Sequence, residues 1–144
     1  MGLLGKVFGG QPAKKASDDV LLLHSMLLMA GADGYIEGAE AATLDAFINT
    51  LPEFREGDLD AQLGQAKKLR SKFNSPQEAV KALADISSPA VKRKAFVLAA
   101  DIAMSSGDID ETEEELLEAM QRILDIDDAT AQKVIEVLAL KYAK

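Results

Sequence analysis

The chain has 144 residues, which suits one domain able to bury ~70% of the surface its unfolded form exposes, so neither metal nor disulfide is needed to build a core. Apolar residues make up 48% and charged residues 28%, as in globular proteins, and the lack of cysteine excludes disulfides, thiolate metal sites and cysteine nucleophiles. A net charge of −8 repels phosphate backbones, which argues against nucleic acid as a partner and is compatible with cations or a basic protein surface.

Residues 1–16 are weakly patterned and read as a loosely ordered terminus, although Leu3, Leu4, Val7 and Phe8 would make one amphipathic turn. The stretch lacks the apolar core and cleavage site of a signal peptide, and Lys6 stands where myristoylation wants Ser or Thr. A cytoplasmic protein is the resulting expectation, with a single helical domain over 17–144. Ser17 is a good N-cap, followed by Asp18 and Asp19 at the positive helix end. Helix one runs to about Gly31 and is apolar over most of its circumference, which predicts a central position. Its apolar run, Val20 to Ala32, is broken by His24 and Ser25 and is too short to span a bilayer. Helix two covers about 38–50 and stops before Pro52. Leu59, Leu63, Ala66, Leu69 and Phe73 keep helical spacing and mark helix three. Ser75, Pro76 and Glu78 form a helix start for helix four, and Ser88-Pro89 repeats that signal for helix five. Helix six covers about 111–124, and Asp127 and Asp128 open helix seven. No window alternates as a strand does, so the expected fold is all-α with about seven helices.

Shifted by 73 residues, the chain matches itself: Gly34 falls on Gly107, Ile36 on Ile109, Glu40 on Glu113 and Leu44 on Leu117. The expectation is an internal duplication, with repeats at about 17–86 and 89–144 and with helices one and five central and antiparallel-like. Each half carries an acidic turn after an apolar helix. The first holds Asp33, Glu37 and Glu40; the second holds Asp108, Asp110 and Glu113. Carboxylate oxygens suit hard cations, Ca²⁺ or Mg²⁺. The spacing matches the second half of an EF-hand loop: glycine, apolar residue two later, glutamate six later. The first half fails, because Met29 and Gly31, or Ile102 and Met104, occupy the first ligand positions. Any ion therefore needs further ligands, Asp101 among the candidates. Against this stands a plainer reading, in which the acids cap helices and offset the macrodipole, and Asp110 to Glu113 has the spacing of a capping box. Ser106 stands where the first turn has Asp33. His24 reads as a core histidine, Lys92-Arg93-Lys94 as a solvated basic face and the methionines as core. With no phosphate loop and no nucleophile with its base, the chain does not read as an enzyme.

The two turns, Ala32-Asp33-Gly34-Tyr35-Ile36-Glu37-Gly38-Ala39-Glu40 and Ala103 to Glu113, each between a buried and an amphipathic helix, resemble the TerB (tellurite-resistance) family. The resemblance covers about 18–142. It implies a duplicated helical fold and a cytoplasmic bacterial protein that binds divalent cations, calcium first, at its acidic positions. It further implies a role in tellurite and chemical-stress resistance, through a protein partner in a complex at the inner membrane. Two functions follow. One is a non-enzymatic cation-binding stress module. The other is a helical interaction scaffold whose acidic turns only cap helices and dock a basic partner.

Overall fold

The computed structural model describes residues 16–32, 38–55, 58–105 and 107–144, with the backbone alone at 38–41 and 43. Among them run seven helices: α1 (Asp18–Ala30), α2 (Gly38–Thr50), α3 (Leu59–Ser71), α4 (Pro76–Ala79), α5 (Pro89–Met104), α6 (Glu111–Ile123) and α7 (Asp128–Lys141). No strand occurs among the described residues, so the all-α expectation holds. The expected helix over 75–86 is an α-helical turn that tightens into a 3₁₀ segment, Val80–Asp85. The expectation for residues 1–15 lies outside the described residues.

The helix starts are dictated locally. Ser17, Asp58, Ser75, Ser88, Asp110 and Asp127 each accept, at a side-chain oxygen, the backbone N–H three residues on. Each satisfies a donor that the first helical turn leaves open. Pro76 and Pro89 stand at the first helical position, where a missing N–H costs nothing.

α1 is the centre. Every side chain from Val20 to Ala30 is buried, as its all-round apolarity predicts. It packs chiefly against α5 and α3, and Leu83, Phe96, Leu116 and Met120 complete the core around it. Asp18 fixes the start of α1 to the start of α5: its carboxylate accepts from Ser87 N–H (3.0 Å), Ser88 N–H (3.1 Å) and the Ser87 hydroxyl. Helices joined start to start do not run antiparallel, so the central pair differs from the expected arrangement. α7 packs along α5, start beside start and end beside end. Its Lys141 donates to Asp101 at 2.9 Å and its Tyr142 hydroxyl bonds the same carboxylate. The Lys141 ammonium also lies 5.1 Å from the centre of the Phe47 ring on α2, a cation–π contact.

Candidate metal centre

The second acidic turn grows out of the end of α5. The Ser105 N–H bonds the Asp101 carbonyl (3.0 Å) and the Gly107 N–H bonds the Met104 carbonyl (3.1 Å). Gly107 then adopts φ 94°, a left-handed conformation open to glycine at little cost. Asp108, Ile109 and Asp110 follow as an exposed, non-helical stretch, and Asp110 is the N-cap of α6 at φ −80°, ψ 173°. Its Oδ1 accepts the Glu113 N–H (2.7 Å), and Glu113 Oε1 accepts the Asp110 N–H (3.1 Å). The capping box read from the spacing is therefore present. Gly107 is left-handed, Asp110 is the N-cap and Glu113 the third helical residue, positions that correspond by spacing to the sixth, ninth and twelfth of a calcium loop. Among the described residues no three acid or histidine side chains converge into a ready-made ion cage.

Of the first turn, Asp33 and Glu37 lie outside the described residues. Glu40 is the third residue of α2, the place Glu113 holds in α6, and its side chain is likewise outside them. The carboxylate of Asp101, the further ligand considered, is engaged by Lys141 at the end of α7 and by its C-cap Tyr142. These contacts push the Lys141 ammonium pKa up, chiefly through the Asp101 bond. Tyr142 is also raised, first by burial and then by the bond to Asp101.

The remaining singled-out residues fall elsewhere. Lys94 pairs with Glu53 at 2.5 Å, so the basic triplet is not a wholly solvated face. Lys92 and Arg93 border a cleft of about 210 Å³ with Asp125, Asp127 and Thr130, in which both signs of charge meet. His24 is fully buried: Nε2–H donates to the Ala79 carbonyl (2.9 Å), and Nδ1 has no partner among the described residues. Burial pushes its pKa down, against the upward pull of the Ala79 bond.

One feature beside the turn was not read from the sequence. A groove between α6 and α7 is floored by Phe96, Leu117 and Ala131, with Ile109 of the turn at its edge. Its signal was present in the α6 pattern, where Glu114 and Glu118 flank Leu117, but the facing helix cannot be assigned from sequence alone. No helix among the described residues is long and apolar enough to cross a membrane. The family model described as tellurite resistance protein TerB matches residues 20–135. No curated protein and no solved structure matches the chain significantly.

Proposed function

The chain belongs to the TerB family of tellurite resistance proteins, and from that premise we propose that it is a non-enzymatic module that binds a divalent cation, Ca²⁺, within a tellurite and chemical-stress resistance system. The observation that carries the reading is the path from Gly107 to Glu113, which sets acids where the second half of a calcium loop sets its ligands. An ion there would draw on the Asp108 and Asp110 oxygens and on both oxygens of Glu113. To reach it, Glu113 must release the Asp110 N–H, at a cost of about 1 kcal/mol. At the position before the glycine the first turn, with Asp33, Glu37 and Glu40, offers an acid where the second has Ser106, and on that ground it is the stronger site.

With few carboxylates per turn, an affinity of roughly 10⁻⁵–10⁻³ M is expected, and Mg²⁺ should bind less well because it demands near-ideal octahedral geometry and gives up water reluctantly. The chain has no cysteine and so supplies no thiol to reduce tellurite. Its role is to couple a cation to a partner protein, in the cytoplasm or at the periphery of the inner membrane.

The test is calorimetric titration of chelator-stripped protein with Ca²⁺, with Mg²⁺ as control. Saturable Ca²⁺ binding is expected, reduced in Asp33→Asn/Glu40→Gln and further in combination with Asp110→Asn/Glu113→Gln. The capping box favours a second reading, in which the acids serve only as helix caps. Under that reading wild-type protein takes up no Ca²⁺ at millimolar concentration, and this result would overturn the cation module.

A further inference from the structure

The groove between α6 and α7 is unexplained by the acidic turn. It holds about 390 Å³, within the range of binding clefts. Leu117 of α6, Ala131 and Ile135 of α7 and Phe96 of α5 make its apolar lining, and Ile109, 38% exposed, closes one end. Ala131 gives the groove its depth, because a methyl stands where a longer side chain would fill it. The polar residues on its rim are Glu114, Glu118 and Asp128 with two glutamines, and among the described residues no Lys or Arg lines it.

Glu114 and Glu118 stand one turn apart on the same face of α6. Like charges at that spacing repel, and neither makes a salt bridge with a Lys or Arg among the described residues. Both walls are helices, whose backbone groups are already paired, so a strand finds no edge to extend. A third helix, laid into the furrow between two others, meets both the shape and the charge.

We propose that this groove docks a basic amphipathic helix of a partner protein, with aliphatic side chains over Ala131 and Leu117 and Lys or Arg one turn apart against Glu114 and Glu118. Charge complementarity is what selects this occupant. The inference does not depend on cation binding by the turns.

The full chain would be titrated with a synthetic 14-residue helical peptide of leucines and lysines in amphipathic order, and with its twin carrying glutamate for lysine, at about 150 mM salt. Binding is read by fluorescence anisotropy of the labelled peptide. The lysine peptide should bind saturably and the glutamate twin at least tenfold more weakly. Glu118→Lys on the rim should weaken binding at least tenfold. Ala131→Met, which fills the floor, should do the same while keeping its helical circular dichroism. Asp45→Lys, an equal charge change on exposed α2, should leave binding unchanged. Equal losses in Asp45→Lys and Glu118→Lys would mean attraction to net charge alone and would overturn the proposal. So would a tenfold gain on deleting residues 1–15, or on dilution below a dimerisation threshold. Those results would assign the groove to the chain's own start or to a second copy.

Discussion

Gly107 and Asp125 share a left-handed backbone and carry opposite consequences. Gly107 has φ 94°, and although an added methyl would meet no atom within 4 Å, the conformation itself strains any other residue. Gly107→Ala should therefore cost about 1 kcal/mol in urea denaturation. Asp125, at φ 57°, follows the last turn of α6 in a Schellman arrangement, with Ile126 N–H bonded to the Gln121 carbonyl and Asp125 N–H to that of Arg122. Asp125→Gly should gain up to about 1 kcal/mol by the same argument run in reverse. At Asp110 two substitutions separate cap from ligand. Asp110→Ala removes the acceptor for Glu113 N–H and should cost about 1 kcal/mol, whereas Asp110→Asn keeps an acceptor and should cost a few tenths, and both should weaken Ca²⁺ uptake by the proposed site. Equal stability of the two variants would contradict the capping role. Gly107 and the capping box were legible because they follow from residue type and short spacing. Asp125 was not, since aspartate carries no sign that its backbone turns left-handed, and Asp101 was misleading because the helix that claims it lies 40 residues on.

Elements are held to one another by few polar ties, and two of them are testable. Asp18 joins the start of α1 to that of α5 across 69 residues. Asp18→Ala leaves the Ser87 and Ser88 donors without their charged acceptor and should cost about 2 kcal/mol, with the hydrogen-exchange protection of the first turn of α5 falling in step. His24 joins α1 to α4. Its folded-state pKa lies below 6.5, first because burial disfavours the cation and also because Arg70 repels it. Below pH 6.5 the unfolded chain therefore takes up a proton that the folded chain refuses. Stability contributed by neutral His24 is complete above that pH and is lost as pH falls towards the folded pKa, by up to about 1.4 kcal/mol per unit. Asp19, raised by its burial and by Glu53 and Asp18, has the opposite sign in the carboxylate range, below this window. Urea midpoints at pH 7.5 and 5.5 should differ in the wild type and much less in His24→Gln. A wild-type midpoint unchanged between the two would contradict the argument. Among the elements, α1 was legible from its all-round apolarity and α2 from the following Pro52. The 3₁₀ tightening of 80–85 was not, because apolar spacing three or four apart suits both helix types over so short a run.

At the scale of the whole molecule, the all-helical fold was legible because period, caps and breakers agreed along most of the chain. The path between elements was not, since no pattern within a helix records which face meets which neighbour. The 73-residue shift carries the bounds of α2 onto those of α6 and sets α1 inside α5, and the proposed duplication rests on that register. Net charge then decides how the molecule answers to ions. At −8 the folded chain repels itself, so any salt that screens the charge should raise the melting temperature somewhat. A specific Ca²⁺ site adds a mass-action term on top. With a dissociation constant near 10⁻⁴ M, 10 mM Ca²⁺ is about a hundredfold excess and stabilises by about 2.7 kcal/mol. For a domain of this size that shifts melting by roughly 5–10 °C. Melting in 10 mM CaCl₂ should therefore exceed melting in NaCl of equal ionic strength by that margin, with MgCl₂ in between. In Asp33→Asn/Glu40→Gln the margin should shrink, and the response to NaCl should remain. Should CaCl₂ and NaCl act alike on the wild type, the acids answer only to screening, and the carboxylates of both turns are caps on an acidic surface.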